Sequence, residues 1–371
     1  MARHWPTDAF TALPERPARR VGGAGAPDAV SRGEAGEPGR ASAAPDSARR
    51  AVVALCNNPP DNPASQTLAR ILGDAGLTAQ PIHPTAARGW RRALGTWLSP
   101  RALRAALRAD ALVVHSAFAL QLPALCVAAL RGTPRVGFLW DIYPGPRCRG
   151  LRGRLWRWAE AAGLRLAGTV LVPSADYVGP ARAAGARTVL IHPLPAPHSH
   201  RRPAPVRAPG PLRIGYAGAL DSLRDPAAAI AQHVRPGEPV ELHAFSARPA
   251  APTQPGSELR IVWRGWAGWP ELSAQLVGLD YGLVALDPAH SGPAFPQKVA
   301  CYLAAGLPVL LAGPPMPALE AFLSEHGVGR RLEGPLPDTA CAQADRVRLC
   351  RGQGAALAAL ASPEIPLAAL L

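Results

Sequence analysis

The chain has 371 residues, of which 48% are hydrophobic and 18% charged, and its formal net charge is +14. The hydrophobic fraction is normal for a globular protein and excludes a wholly disordered chain, while the length predicts two domains plus extra segments. Of the 40 basic residues, 39 are arginine and only Lys298 is lysine. So strong a preference for arginine indicates that the net positive charge partly reflects a general bias in amino-acid usage. The net charge therefore says little about binding partners.

Residues 1–50 are rich in Ala, Gly, Pro and Arg and have no apolar periodicity. We predict a disordered tail, with a start codon annotated too far upstream as the alternative. The tail lacks the apolar stretch of a secretory signal. The six cysteines show no metal-ligand spacing, so we expect a cytoplasmic protein in a reducing compartment, without a structural metal.

Residues 51–195 are predicted to form a first α/β domain, since short apolar runs alternate with helical segments. The predicted strands are 51–56, 77–82, 111–115, 135–140, 169–172 and 187–191. The predicted helices are 62–76, 87–108, 122–131, 151–166 and 174–184.

The uncharged stretch 111–130 has the length of a membrane span. Polar residues and a central proline interrupt it, so a strand followed by a helix explains it better.

Residues 196–211 are Pro-rich and aperiodic, and we predict a linker there. A second α/β domain over 212–371 follows. Its predicted strands are 212–217, 240–245, 259–262, 281–286, 308–312 and 328–332. Its predicted helices include 226–234, 295–305 and one or two terminal helices within 338–361.

This alternation is typical of parallel sheets covered by helices on both faces. The predicted fold class is α/β, with two Rossmann-like doubly wound domains facing each other across a cleft. Ligands of such folds bind at the carboxyl ends of the strands.

One stretch of the second domain suggests an anion site. A strand ends in a Gly/Pro loop over 291–296, and a helix that carries Lys298 in its first turn follows. Gly218, after the first strand of this domain, would let the backbone approach a ligand, and Arg224 lies just beyond. The alternative is that Lys298 is a solvated helix residue and Gly218 belongs to an ordinary turn.

The same stretch carries a family resemblance. The string FPQKVACYLAAGLPV at 295–309 resembles the donor-site signature of GT-B glycosyltransferases of the large family-4 kind. The string RIGYAG at 213–218 resembles the start of their C-terminal domain. In the first half, the strand 110–115 and the strand end 172–176 are similar to the corresponding family segments.

The resemblance implies that a nucleotide sugar is the donor substrate, bound mainly by the C-terminal domain, with no cofactor and no metal. It implies that Lys298 and the loop at Gly218 face the donor diphosphate, and from its position next to that loop we predict that Arg224 contacts the diphosphate too. It also implies donor nucleotide or sugar contacts from Arg264, Gly265, Ser291, Gly292, Phe295 and Tyr302.

The sequence departs from the family pattern in one respect. The family usually carries two glutamates eight positions apart around this loop, whereas here Cys301 occupies the second position and no Glu occurs between 272 and 319. Ribose binding by a carboxylate is therefore in doubt, which keeps a degenerate, non-catalytic GT-B subunit as an alternative.

Two residues of the first half are candidates for the acceptor side. Asp141 follows a predicted strand where relatives often have His, and we predict that it is a catalytic base or orients an acceptor hydroxyl. A turn or helix-cap role is the alternative. His115 is a candidate acceptor-binding residue, with a core or rim position as the alternative.

Two Arg-rich segments with interleaved Trp and Leu, 88–108 and 147–165, suit an anionic membrane surface. The alternative is a solvated Arg face on helices packed against the sheet. No nucleic-acid-binding motif accompanies them, so we expect no nucleic-acid partner.

Together these observations predict a metal-independent glycosyltransferase of hexosyltransferase type, active in polysaccharide biosynthesis. Its acceptor would be a saccharide or a lipid-linked saccharide, and it would be cytoplasmic and peripheral on the inner face of the membrane. A GT-B nucleotide-sugar epimerase is a further alternative, because it would share the donor site without an acceptor.

Overall fold

The structure is a computed structural model, and the part of the chain that it describes contains twelve strands in two parallel sheets. It describes residues 51–56, 63–83, 99–140, 150–191, 194, 210–220, 224–249, 257–288, 290, 292–361 and 367–371. The predicted tail 1–50 and nearly all of the predicted linker 196–211 lie outside these residues.

The first sheet has six parallel strands in the order β2-β1-β3-β4-β5-β6. They are Val52–Cys56 (β1), Ala79–Ile82 (β2), Ala111–His115 (β3), Arg135–Phe138 (β4), Thr169–Val172 (β5) and Thr188–Ile191 (β6). The α-helices of this half are Pro63–Asp74 (α1), Pro100–Arg108 (α2), Leu122–Leu130 (α3), Gly150–Leu166 (α4) and Val178–Ala183 (α5).

The second sheet also has six parallel strands, in the order β12-β11-β10-β7-β8-β9. They are Leu212–Ala217 (β7), Val240–Phe245 (β8), Leu259–Trp263 (β9), Tyr281–Ala285 (β10), Val309–Ala312 (β11) and Gly329–Arg331 (β12). The helices are Pro226–Ala231 (α6), Trp269–Leu276 (α7), Lys298–Ala304 (α8), Pro317–His326 (α9) and Thr339–Ala361 (α10).

The predicted fold class is confirmed, since every predicted strand is present within two residues of its predicted ends. β1, β3, β10 and β11 are buried at every position, as expected for parallel strands covered on both faces. The uncharged stretch 111–130 forms β3, a 3₁₀ turn and α3. Among the described residues, no helix is long and apolar enough to cross a membrane.

Sequence patterns delimit the helices less well than the strands. Helices α7 and α9 are not delimited by the apolar pattern, although Pro317 at the start of α9 and Gly327, with φ of 62°, at its end are boundary signals. The predicted helix 174–184 is a 3₁₀ turn followed by α5. Within the described residues, the predicted helix 87–108 is α2, where the Ser99 hydroxyl accepts a hydrogen bond from Ala102 N (3.2 Å).

The strand order reverses between β7 and β10, and here the two strands separate. They share only two register pairs, at Ile214 and Gly215 of β7, whereas β7 and β8 share six. Beyond these pairs, the buried Tyr302 of α8 bridges the gap. Its hydroxyl accepts from Ala217 N (2.8 Å) and donates to Leu283 O (3.1 Å). A strand-order reversal of this kind leaves a crevice at the carboxyl ends of the strands.

Gly282 makes room for the Tyr302 ring, and this generates a test. A Cβ at Gly282 would lie 2.2 Å from Tyr302 Cγ. Because that ring is fully buried and its hydroxyl is held at both neighbouring strands, it has little freedom to move. We expect Gly282→Ala to lower the free energy of unfolding by about 2 kcal/mol or more, measured by urea denaturation.

The matched control is Gly73→Ala in α1, where nothing lies within 4 Å of the added Cβ. It should leave stability unchanged or raise it by up to about 1 kcal/mol. Equal effects of the two substitutions would contradict the packing argument.

Candidate functional site

The carboxyl ends of the two sheets face each other. Asp176 follows β5 of the first sheet, and its Oδ2 accepts a hydrogen bond from Ala318 N (2.9 Å), near the start of the helix that follows β11. Gln297, between β10 and α8, donates to the hydroxyl of Thr67 in α1. Both contacts join segments that follow strands of opposite sheets. The cleft between them is therefore the expected position for a ligand.

Lys298, the first residue of α8, lies at the point where β7 and β10 separate. Its Nζ is 3.9 Å from the centroid of the Tyr216 ring, a cation–π contact. The Tyr216 ring is fully buried, and its hydroxyl donates to Ala219 O (2.8 Å). The buried tyrosine thus positions both the ammonium group and the loop after β7.

Gly218 occupies that loop with φ of 145°, a conformation that side chains rarely adopt. A Cβ there would lie 3.2 Å from Lys298 Nζ, so the backbone and the ammonium group are close neighbours. Gly218 N donates to Phe245 O (3.1 Å), which ties the loop to β8. The two predicted diphosphate contacts therefore lie together at the cleft edge of the sheet.

Arg224 is half-buried and lies two residues before the first residue of α6. The neighbouring Asp225 caps that helix, since its Oδ1 accepts from Ala227 N (3.1 Å) and Ala228 N (3.0 Å). Arg224 is thus held at the entrance to the helix that follows the Gly218 loop, the part of the chain predicted to contact the diphosphate.

Tyr302 requires a correction. The resemblance implied a donor contact, but the side chain is fully buried and both of its hydrogen bonds go to backbone groups of β7 and β10. No surface of the ring is left for a ligand. Its role is to hold the two strands at the crevice.

Arg264 and Gly265 follow β9, and Gly265 forms a left-handed turn with φ of 76°. The Arg264 guanidinium points back along the sheet, where Nε and a terminal nitrogen lie 3.2 and 3.1 Å from His243 Nδ1. His243 Nε2 lies 3.2 Å from Glu241 Oε2. Burial lowers the pKa of His243, so the ring is neutral at pH 7 and can accept at Nδ1 while donating at Nε2.

A groove of about 230 Å³ lies beside Arg264. Its lining residues are Arg213, His243, Phe245, Arg264, Gln275, Gly278 and Leu279. Since Arg213 lies at the amino end of β7 and Leu279 just before β10, the groove extends along the sheet away from the cleft.

The loop before α8 is described only in part. Gly292 is exposed, whereas Ser291 lies outside the described residues. The Phe295 ring packs in the core, edge-on to Phe322 with ring centroids 5.7 Å apart. Any ligand contact of Phe295 would therefore involve its backbone, as predicted for this loop.

Cys301 occupies the position of a family glutamate and is buried. Its thiol donates to Gln297 O (3.4 Å), and burial raises its pKa well above the usual range, so it is neutral. It therefore cannot supply the negative charge that the family position usually carries. In the described part of the chain, no three His, Cys, Asp or Glu side chains lie close enough together to hold a metal ion.

On the first sheet, His115 also requires a correction. It ends β3 with no exposed surface, and its ring lies edge-on to Trp140 with centroids 5.8 Å apart. It is a buried residue of the cleft wall and cannot touch an acceptor in this conformation. Asp141, the predicted base, lies outside the described residues.

The loop after His115 contains features that the sequence did not indicate. Ser116 and Ala117 both have positive φ, at 50° and 45°, which is rare for residues other than glycine. Glu160 of α4 is buried beneath the following 3₁₀ turn, and its Oε2 accepts from Ala119 N (2.7 Å). Glu160 lies 41 residues away from this amide, and no local pattern connects the two.

No protein-family model matches the chain, and no curated protein is a significant match to its sequence. Solved structures are similar in fold. The Anabaena protein Alr3699/HepE in complex with UDP-glucose gives a TM-score of 0.52 at 18% identity, covering 86% of this chain and 96% of that chain. The E. coli trehalose-6-phosphate structure bound with UDP-2-fluoro glucose gives a TM-score of 0.50 at 11% identity, covering 84% of this chain and 100% of that chain.

The chain has the GT-B fold. The GT-B architecture accounts for the two doubly wound sheets and for the cleft between their carboxyl ends. Identities this low show the fold alone, so the resemblance to family 4 stays a prediction.

Glu160 should make the free energy of unfolding of the GT-B chain depend on pH, and this dependence can be measured. Burial raises the pKa of Glu160 to about 7, although the Ala119 and Phe118 N–H groups act to lower it. An unfolded Glu titrates near about 4.3, so the folded state binds this proton more tightly. The stabilisation is complete below about pH 4 and is lost as the pH rises through 7.

We therefore expect the free energy of unfolding of the wild type to fall between pH 4 and 8, relative to Glu160→Gln, by on the order of 3 kcal/mol. Urea denaturation of both proteins at several pH values measures this difference. Parallel stability curves would contradict the raised pKa.

Proposed function

We propose that the protein is a glycosyltransferase that transfers a sugar from a nucleotide-sugar donor to a saccharide or lipid-linked saccharide acceptor. One observation carries the proposal: Lys298 Nζ lies over Tyr216 and beside Gly218, at the crevice of the second sheet. In this proposal, the part of the chain over 212–371 binds the donor and the part over 51–195 binds the acceptor.

The chemistry of the leaving group supports this assignment. In glycosyl transfer, the bond between the anomeric carbon and the diphosphate oxygen breaks, and negative charge develops on the departing nucleoside diphosphate. A positioned ammonium group stabilises that charge in the transition state. Arg224 would add a second positive charge from the start of α6. We propose that these side chains stabilise the diphosphate without a resident metal ion.

The nucleotide and the sugar would occupy the segments next to this crevice. The proposed contacts are the left-handed turn at Gly265 beside the base, and the backbone of Gly292 and Phe295 beside the diphosphate or sugar. Ser291 and Arg264 belong to the same proposed set. HepE, which has a similar fold, was solved with UDP-glucose, which supports a nucleotide-sugar donor.

The acceptor hydroxyl must lose a proton as its oxygen bonds to the anomeric carbon. We propose Asp141 as the group that receives this proton or orients the hydroxyl, because it comes three positions after the end of β4 in the sequence, and acceptor groups are expected where parallel strands end. Replacement by Asn would then abolish transfer and leave donor binding intact. Unchanged transfer would indicate the turn or cap role instead.

Cys301 favours a second candidate, a GT-B subunit that binds a nucleotide without catalysing transfer. Its neutral buried thiol stands where family members usually have a carboxylate. This subunit would share the Lys298 crevice with the enzyme and would differ from it only in turnover.

The membrane is the partner proposed for helix α4. Leu151, Leu155 and Trp158 are exposed by 73%, 59% and 65%, and their spacing places them on one stripe of the helix. Arg154 and Arg165 lie exposed beside this stripe. Apolar side chains flanked by arginine suit an anionic lipid surface, which supports a peripheral protein acting on a lipid-linked acceptor.

Helix α2 adds to this proposed surface, since Arg101, Arg104, Leu107 and Arg108 are exposed. Trp90 and Trp97 of the same basic segment lie outside the described residues. A peripheral position on the cytoplasmic leaflet would follow from both helices.

Donor binding can be tested by thermal unfolding with a panel of nucleoside diphosphates and nucleotide sugars. A ligand at 100 times its dissociation constant should stabilise the wild type by about 2.7 kcal/mol. Lys298→Ala should weaken that ligand about tenfold or more, since it removes a charge from the diphosphate.

Arg351→Ala, at an exposed position of α10, is the control and should bind like the wild type. No shift with any ligand would overturn the donor site. Binding without turnover would favour the non-catalytic subunit, and sugar turnover without an acceptor would favour the epimerase.

Membrane docking can be tested by sedimentation with vesicles that contain phosphatidylglycerol. Replacing Leu151, Leu155 and Trp158 with Ser should lower vesicle binding about tenfold or more. Val347→Ser, a change at an exposed apolar residue of α10, is the control. Equal binding by the triple variant would contradict the proposed surface.

A further inference from the structure

The segment that follows β3 is strained at the cleft edge of the first sheet. β3 pairs with β1 and β4, and the strand order of this sheet reverses between β1 and β3. Directly after β3, Ser116 and Ala117 both have left-handed backbone angles. Such a conformation is unfavourable for residues with a side chain and persists only where the surroundings enforce it.

Hydrogen bonds to neighbouring strand ends hold the first part of this loop. Ser116 N donates to Phe138 O (2.8 Å) at the end of β4, and the Ser116 hydroxyl accepts from Trp140 N (3.2 Å). These bonds fix where the loop leaves the sheet. They do not reach the 3₁₀ turn Phe118–Gln121, in which the loop ends.

Helix α4 holds the second part. The Glu160 carboxylate accepts from Ala119 N (2.7 Å), and Phe118 N–H also contributes to its environment. One turn further along, Gly163 packs directly on this segment, since a Cβ there would lie 2.7 Å from Phe118 Cβ and 2.9 Å from Phe118 O. The free N–H groups at the start of the turn are thus satisfied by a side chain from a distant helix.

We propose that Glu160 is a positioning residue that holds Ser116 and Ala117 in their left-handed conformation by anchoring the turn that follows them, and thereby shapes the acceptor side of the cleft. The inference rests on the proposed function only in calling this side the acceptor side. The carboxylate itself is buried and does not touch a substrate. It acts through the backbone N–H groups from which it accepts hydrogen bonds.

The choice of a carboxylate supports a positioning role over a purely packing role. An apolar side chain would fill the space beneath the turn without the penalty of burying a carboxyl group, but it would leave the Ala119 amide unsatisfied. Glutamine keeps an acceptor oxygen at the same position. Glu160→Gln should therefore preserve the loop, while Glu160→Ala should release it.

Two measurements test the proposal on the full chain. The first is amide hydrogen exchange of peptides covering 116–121, in the wild type, Glu160→Gln and Glu160→Ala. Exchange in this segment should be about tenfold faster in Glu160→Ala and close to wild type in Glu160→Gln. Glu271→Ala, at an exposed position of α7, is the control and should change nothing there.

The second measurement separates KM from kcat, with the nucleotide sugar that stabilises the protein most and octyl β-glucoside as the acceptor probe. Glu160→Ala should raise the KM for octyl β-glucoside about tenfold and leave the KM for the donor within about twofold. Glu160→Gln should restore the acceptor KM. A rise in both KM values would indicate a general loss of structure.

Unchanged exchange at 116–121 in Glu160→Ala would overturn the proposal, whatever the activity. If the wild type transfers no sugar, the proposed function fails, and hydrogen exchange still decides whether Glu160 holds the loop. If Glu160→Ala does not fold, Glu160→Leu, which fills the same space without an acceptor oxygen, takes its place, and exchange at 116–121 equal to that of the wild type would also overturn the proposal.

Discussion

The hydroxyl of Tyr302 is the contact on which the geometry of the second sheet depends. β7 and β10 lose their backbone pairing after Gly215 and Gly282, and this one hydroxyl satisfies an amide of the first strand and a carbonyl of the second. Without it, two buried backbone groups would lack partners at the mouth of the crevice. The separation of the strands is therefore stable, and it opens a space that regular pairing would close.

A buried aromatic ring helps to position the charge at this crevice. The Tyr216 face carries the negative end of the ring quadrupole toward Lys298 Nζ, which favours the ammonium group without neutralising it. The loop at Gly218 brings backbone within reach of the same nitrogen. The ammonium group, the aromatic ring and this loop therefore lie together at the cleft edge of the sheet.

The strands could be predicted because their apolar runs are local and the proteins of this class bury them on both faces. Side-chain roles were harder to predict. Tyr302 and His115 lie in motifs that resemble functional family segments, yet both are buried, because a motif also contains the residues that build the site. The contact of Glu160 with Ala119 joins positions 41 residues apart, and the left-handed angles at Ser116 have no glycine to signal them.

The single lysine of the chain has a practical consequence. Reagents that acylate or reductively alkylate primary amines can react only with Lys298 and with the chain's N-terminal amine. A covalent tag, a fluorophore or an isotope-labelled methyl group can thus be placed at the crevice without any engineering. Because the ammonium group is half-buried against Tyr216, a ligand that covers it would slow the labelling, and mass spectrometry would record occupancy as protection of one residue.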